Sequence, residues 1–363
     1  MKDNFIRNKV LRRIIFAVVV LYALAGFFLI TVFIAVKLHL TNDPGAVDFN
    51  DRFFTDFHKG ENKNAVLVAN NGVSADSQIL NRIAVLQQFH PGNARLVLET
   101  YFQTQDIALT EKMLDALDLY LKDNTLYQDK LTESSQIFAK NDVIALDSNI
   151  FTWANTEEWS VLKEAVKKDK SRIDSVSRIT GLSSRLMTAM LIGEQIRLFD
   201  SKREAFKKWI SPLKILVNET TLSLGVMGIK EETAILIENG LKDKSSIYYL
   251  GEEYENLLDF KTSDPKTERY QRLTNPRDHT YPYLYCAVYL KQVMQQWKRS
   301  GYDISGKPEI LATLYNLGFS VSQPKPNPKV GGSRIKVDGI EYTFGRLAFE
   351  YYYSGELSRE FPL

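Results

Sequence analysis

The sequence predicts a mainly α-helical protein that is preceded by a single membrane-spanning helix. Three observations lead to this fold class. Residues 14–36 are apolar and uncharged, the apolar residues of 65–150 recur with the three- and four-residue spacing of an α-helix, and the same spacing returns through most of 151–321. Strand signals are confined to a short part of 322–363, so we expect little β-structure.

The membrane segment is predicted from its length and from its flanking charges. Residues 14–36 would form a helix about 34 Å long, which spans a bilayer. Five lysines and arginines lie in the basic tail 1–13, so the positive-inside rule places this tail in the cytoplasm and everything after about Leu40 outside. A cleaved signal peptide is the alternative, but the apolar run is longer than an ordinary signal core and no clean cleavage site follows. We therefore expect a single-pass anchor in the cytoplasmic (inner) membrane with a periplasmic catalytic part.

The next two segments connect this anchor to the main domain. Residues 37–64 are polar and interrupted by glycine and proline, which predicts a juxtamembrane linker. Residues 65–150 form a helical region of unknown role, clearest in IALTEKMLDALDLYL. One apolar stripe runs along that helix, and we expect it to pack against the following domain rather than to form a partner groove. The stripe consists of Leu109, Met113, Leu114, Leu117 and Leu121.

Residues 151–321 form the predicted main domain. Helices are expected around WSVLKEAVKK, SRIDSVSRI, RLMTAMLIGEQIRLF, ETAILIE, LYCAVYLKQVMQQWKR and EILATLY, with a polar insertion between Lys242 and Arg277. In 322–363 the stretch SQPKPNPKVGGS predicts an extended connector, because proline and glycine prevent regular helix. A hairpin turning at Asp338 and Gly339 and a final helix around GRLAFEYYY follow.

Composition excludes several classes of function. The chain has 46 basic and 44 acidic residues, a formal net charge of +2, which provides no concentrated basic face for nucleic acid. With a single cysteine and four scattered histidines, the chain offers neither a disulfide framework nor metal-ligand spacing. We therefore expect no metal and no cofactor. Cys286, in the apolar run YLYCAVYL, is predicted to be a buried helix residue without a chemical role.

Glu194 is the first candidate for chemistry. On its predicted helix it shares a face with Met187, Leu191 and Leu198. An ionised carboxylate among apolar neighbours is costly, so the group is either paired, displaced to the boundary, or protonated with a raised pKa, as suits a general acid. An ordinary ion pair with Arg197 at a solvated edge is the alternative.

Two further segments carry candidate binding residues. In SLGVMGIKEETA, Ser223, Gly225 and Gly228 form a turn that lets backbone approach a ligand, although a tight helix connection fits equally well. In ILATLYNLG, Tyr315 and Asn316 lie at a helix end. Their hydroxyl and amide are suited to orienting a carboxylate and a sugar, or to plain capping.

Taken together and in this order, SRITGLSSRLMTAMLIGEQ, SLGVMGI and ATLYNLG resemble the soluble-lytic-transglycosylase catalytic domain, a lysozyme-like family that cleaves the glycan strands of peptidoglycan. The resemblance covers roughly residues 171–320. It implies a lysozyme-like helical fold, to which the predicted C-terminal hairpin and helix are a small extension. It also implies that Glu194 is the one catalytic carboxyl group, acting first as acid and then as base.

The same resemblance implies the reaction and the remaining site residues. The muramyl C6 hydroxyl attacks the anomeric carbon and leaves a 1,6-anhydro-MurNAc end, so no second carboxylate is required. The partners implied are peptidoglycan strands and the cytoplasmic membrane, with any cell-envelope assembly partner unidentified. The residues carried over as substrate-binding are Ser223, Gly225, Gly228, Ile229, Tyr315 and Asn316.

Two departures from the family pattern keep other functions open. Gln195 stands where the family usually has serine, and Lys230 where it usually has glutamine. A noncatalytic peptidoglycan-binding scaffold with a retained cleft is therefore an alternative. A hydrolytic muramidase is another, and its second carboxylate would be Glu219, Glu231 or Glu232.

Overall fold

The computed structural model describes residues 75–132, 146–196 and 223–363, together with five isolated positions between 16 and 31. Twelve α-helices and two two-stranded sheets form this part of the chain, which confirms the mainly α-helical prediction. The basic tail 1–13 and the linker 37–64 lie outside the described residues.

The predicted anchor also falls almost wholly outside the described residues. Within 14–36 only Phe16, Val20, Gly26, Ile30 and Thr31 are described, and all five are helical. Among the residues that the structure describes, no helix is long and apolar enough to cross a bilayer. The anchor at 14–36 therefore stays a prediction.

The described residues of the N-terminal region, 75–132, form four helices. They are α1 (Ala75–Phe89), α2 (Pro91–Thr104), α3 (Ile107–Leu121) and α4 (Thr125–Thr132). The Asp106 side chain caps α3 by accepting a hydrogen bond from the Leu109 amide at 2.9 Å. Four members of the predicted stripe, Met113, Leu114, Leu117 and Leu121, are buried, so the stripe is a packing face.

Eight helices form the rest of the described chain. They are α5 (Glu157–Lys168), α6 (Lys170–Thr180), α7 (Ser184–Ile196), α8 (Glu231–Lys242), α9 (Pro265–Thr274), α10 (Thr280–Arg299), α11 (Pro308–Leu317) and α12 (Phe344–Tyr353). Gly181, with φ +70°, ends α6, and the predicted start near Ser184 opens α7. The buried core is continuous across 75–132 and the later helices.

Helix α7 is the central element of this core. It packs against α5, α6, α10, α11 and α12, and every residue from Arg185 to Glu194 is buried. Met187, Leu191 and Glu194 thus share a buried face, but the opposite face is buried as well, because neighbouring helices surround α7. Arg197 and Leu198, which the sequence also linked to Glu194, lie outside the described residues.

Two hairpins interrupt the helical architecture. Strands β1 (Ser223–Leu224) and β2 (Ile229–Lys230) form an antiparallel hairpin directly before α8. Strands β3 (Arg334–Val337) and β4 (Ile340–Thr343) form the predicted C-terminal hairpin. Its turn residues Asp338 and Gly339 have φ angles of +47° and +82°, as a two-residue turn with matching twist requires. This hairpin is confirmed, whereas the sequence did not predict β1 and β2.

The polar insertion and the connector have the predicted character. The insertion contains the short 3₁₀ helix Glu252–Tyr254 and helix α9, which packs against α10 and β1. Residues 322–333 contain neither helix nor strand, as their prolines and glycines predicted.

Two buried charged groups connect α7 and α12 to distant parts of the chain. The Arg185 guanidinium, fully buried, donates to the carbonyls of Tyr351 and Tyr352 and, farther along, to those of Glu356 and Phe361. The C-terminal segment is thereby bound to the helix that carries Glu194.

The second group, Glu350 of α12, connects the N-terminal region. It is fully buried and accepts hydrogen bonds from Arg346 Nε at 2.8 Å, from Trp153 Nε1 at 3.0 Å and from the Tyr120 hydroxyl of α3. Because a buried carboxyl group is costly without such partners, this contact fixes α3 on α12.

Candidate active site

Glu194 lies near the end of α7, against the loop of the β1–β2 hairpin. Its side chain is 5% exposed. A β-carbon at position 228 would lie 2.2 Å from Glu194 Oε2 and 2.7 Å from Cδ, so the carboxyl group packs directly on the Gly228 backbone. Glu194 and Gly228, which the sequence analysis identified in separate motifs, are therefore in contact in the structure.

The hairpin loop, residues 225–228, requires glycine at both ends. Gly225 and Gly228 have φ angles of +64° and +61°, a left-handed conformation that side chains disfavour. A β-carbon at Gly225 would also lie 1.9 Å from the Leu273 carbonyl oxygen, which belongs to α9. The loop backbone thus packs closely against Glu194 on one side and against the polar insertion on the other.

The strands that carry this loop contain the remaining predicted turn residues. Ile229 is buried and pairs with Leu224, while Ser223 pairs with Lys230 through the backbone. Lys230 also precedes the first residue of α8. The two paired positions on each strand set the width of the hairpin at the loop.

Tyr315, at the end of α11, holds the loop from the side of the core. Its hydroxyl donates to the Met227 carbonyl oxygen at 2.6 Å, and its ring packs edge-on against Tyr289 and stacks on Phe344. Burial raises the pKa of Tyr315 well above its ordinary value, and the neighbouring Cys286 thiol and Glu194 carboxylate raise it further. The hydroxyl therefore stays protonated and remains a donor.

Gln195 holds the same loop from the side of α7. Its Nε2 donates to the Val226 carbonyl oxygen at 2.6 Å. Consecutive carbonyls of the loop, those of Val226 and Met227, are thus bound by two side chains from different helices. The sequence identified Gln195 only as a departure from the family pattern and did not predict this contact.

Asn316 faces the connector. Its Oδ1 accepts hydrogen bonds from the Ser333 amide at 2.7 Å and from the Ser333 hydroxyl at 2.9 Å. This atom therefore fixes the connector just before β3. The part of Asn316 in binding a sugar, which the resemblance implies, stays a prediction.

The candidates for a second carboxylate differ in their surroundings. Glu231 is buried and forms an ion pair with Arg269 at 3.3 Å, and Glu232 is exposed. Glu219 lies outside the described residues. Arg269 is also bound by both carboxylate oxygens of Glu238, at 2.7 Å each, so Glu231 belongs to a buried ionic cluster.

Two core residues also lie near Glu194. Cys286 is fully buried, as predicted, and burial raises the pKa of its thiol, which interacts with Tyr315. A β-carbon at Gly193 would lie 2.6 Å from the Phe344 ring, so a glycine is needed directly before Glu194 for α12 to approach. A glycine inside a helix, next to a glutamate, is the sequence signal that would have revealed this contact.

No group of three or more histidine, cysteine, aspartate or glutamate side chains that could hold a metal ion occurs in the described ranges. Comparison of the chain with protein-family models, curated proteins and solved structures found no match. The function proposed for this site therefore depends on the ordered motifs and on the geometry around Glu194.

Proposed function

We propose that this protein is a membrane-anchored lytic transglycosylase, which cleaves the β-1,4 bond between MurNAc and GlcNAc in peptidoglycan and leaves 1,6-anhydro-MurNAc ends. The observation that carries the proposal is the buried carboxyl group of Glu194 packed on Gly228, with Tyr315 bound to the adjoining residue of the loop. Three motifs that are ordered in sequence as in the lysozyme-like family thus converge on one carboxyl group.

In the proposed reaction Glu194 acts twice. It first donates its proton to the glycosidic oxygen, so that the bond from this oxygen to the muramyl anomeric carbon breaks. It then accepts the proton of the muramyl C6 hydroxyl, whose oxygen forms the new bond to the anomeric carbon. The carboxyl group ends in its starting form, and the attacking group comes from the substrate itself.

The surrounding residues restrict the position of this carboxyl group. The Gly228 backbone limits the space available to its oxygens, and the Tyr315 hydroxyl and Gln195 amide fix the loop to which Gly228 belongs. Such preorganisation is what acid–base catalysis needs, because the proton must be transferred at hydrogen-bond distance.

The surroundings of Glu231 and Glu232 favour this reaction over a hydrolytic reaction that would use either of them. A hydrolytic mechanism needs a second carboxylate as nucleophile or as base for water. Glu231 is buried and is already paired with Arg269, and Glu232 is exposed on α8. An intramolecular attack requires neither of them.

The proposed location follows from the predicted anchor. Residues 14–36 would hold the chain in the cytoplasmic membrane, and the linker 37–64 would let the catalytic helices reach the cell wall. The glycan strands of peptidoglycan are the proposed substrate at that position.

The full-length chain, solubilised in mild detergent and incubated with purified peptidoglycan, tests the proposal. Wild type is compared with Glu194→Gln, and Glu158→Gln serves as the control because it changes an exposed carboxylate of α5 that belongs to none of the candidate sites. Anhydro-muropeptides, detected by mass spectrometry from wild type and the control but not from Glu194→Gln, are expected. Reducing ends would instead identify a muramidase, and no release by folded protein would favour a binding scaffold.

A further inference from the structure

We propose that Gln195 is a positioning residue of this site, an inference that rests on the proposed function of Glu194. Its side-chain amide fixes the loop 225–228 to α7 and thereby sets the position of the Gly228 backbone against the catalytic carboxyl group.

The contacts of two consecutive residues support this role. Gln195 Nε2 lies 2.6 Å from the Val226 carbonyl oxygen, and Glu194, one residue earlier on the same helix, packs on Gly228, two residues later in the loop. Because both contacts start from the same turn of α7, a displacement of the loop changes both together. The Gln195 hydrogen bond therefore controls the geometry at Glu194 through the loop.

The other supports of the loop come from different elements. Tyr315 of α11 binds the Met227 carbonyl oxygen, and the Leu273 carbonyl oxygen of α9 lies against Gly225. These contacts fix the loop to the core and to the insertion. Gln195 is the support that relates the loop to the helix of the catalytic group itself.

The length of the side chain explains why glutamine occupies this position. The hydrogen bond to Val226 uses Nε2, an atom two bonds beyond the γ position at which a serine side chain ends. A serine at 195 with this backbone has no atom that reaches as far. Glutamine at position 195, where the family usually has serine, therefore allows a hydrogen bond to Val226 that serine could not form.

Gln195→Met, which keeps the side-chain length and removes the donor, is the variant that tests this inference. Gln292→Met is the matched control, because Gln292 Nε2 makes the same kind of bond, at 3.0 Å to the Ile237 carbonyl oxygen, away from Glu194. Gln195→Asn, which keeps the amide but shortens its reach, replaces the methionine variant if that variant does not fold. Turnover on peptidoglycan is measured for the full-length proteins.

The expected result is a fall of kcat by about 10- to 100-fold in Gln195→Met, because small displacements of a catalytic group cost rate in this range. KM should stay within about threefold, since substrate contacts are unchanged. Amide hydrogen exchange at residues 225–228 should rise in this variant. Gln292→Met should keep the wild-type kcat and the wild-type exchange of this loop.

Any of three kinetic outcomes would overturn the inference. These are an unchanged kcat in folded Gln195→Met, an equal loss in Gln292→Met, or a loss confined to KM. Unchanged exchange of the loop would also overturn it, whatever the activity. If wild type releases no anhydro-muropeptides, the proposed function is wrong. If wild type is active and Glu194→Gln is inactive, the proposed function stands, and any of the outcomes above refutes only the role of Gln195.

Discussion

Replacing Gly228 with alanine is expected to reduce catalysis strongly while costing little stability. The new β-carbon would lie 2.2 Å from Glu194 Oε2, whereas ordinary van der Waals contacts begin at 3.4 Å. The carboxyl oxygen or the loop must therefore move by about 1 Å. Since a displacement of about 1 Å can reduce a rate about 100-fold, we expect kcat to fall by about this factor.

The stability cost of Gly228→Ala comes mainly from the backbone. An alanine at φ +61° has a left-handed conformation that costs about 1–2 kcal/mol. The clash itself adds little, because the atom that is pushed away lies at the far end of a flexible side chain. The displaced carboxyl group is nevertheless the proton donor of the proposed reaction, so the effect on rate is expected to exceed the effect on folding.

Gly301→Ala separates these two effects. Gly301 also has a positive φ, +85°, but no atom lies within 4 Å of the position of its β-carbon. Both variants should lose a similar free energy of unfolding in denaturant titrations, and only Gly228→Ala should lose turnover of peptidoglycan. Wild-type turnover by folded Gly228→Ala, or an equal loss in Gly301→Ala, would refute the reasoning.

Three further perturbations have definite expected outcomes. Tyr315→Phe leaves a buried loop carbonyl without its donor and should cost about 1–3 kcal/mol in denaturant titrations, together with most of the turnover. Tyr289→Phe removes an equally short bond to a carbonyl of α11 and should keep turnover, so equal losses would contradict the role of Tyr315. Burial opposes ionisation of Glu268, but hydrogen bonds from Lys261 and Thr262 outweigh it and lower the pKa of Glu268 to about 2. The stability that it contributes is thus present above pH 4.5 and lost as the pH falls towards 2, and acid titrations of Glu268→Gln should lack this loss. Arg185→Met leaves buried carbonyls without a donor and should destabilise the chain by at least about 3 kcal/mol in denaturant titrations. A smaller cost would contradict the role of Arg185 in holding the C-terminal segment.

The helices were predictable because local signals agree with the tertiary structure. Gly181 has the left-handed conformation of a helix end, and Asp338 and Gly339 form the predicted two-residue turn. Burial of Glu194 was one of the alternatives that the sequence left open, and it came from an argument about one apolar stripe. In the structure α7 is surrounded on all sides, so its burial comes from its position among five helices.

The parts that were missed depend on contacts between distant segments. Strands of two residues are too short for alternation to be visible, so the β1–β2 hairpin was predicted only as a turn. Two contacts join segments that are far apart in sequence, and no local sequence pattern shows that such segments are close in space. They are the contact of Gly225 with the Leu273 carbonyl and that of Gln195 with Val226. The bond between Asn316 and Ser333 has the same origin.

The carbonyls bound by Arg185 have a consequence for the order of events during synthesis. The buried guanidinium of this α7 residue has its acceptors between Tyr351 and Phe361, so these acceptors do not exist until the ribosome has translated that segment. A buried arginine without acceptors is strongly destabilising, which keeps the neighbourhood of Glu194 unassembled on the nascent chain. The neighbourhood of Glu194 is therefore expected to assemble only after residue 361 has been translated.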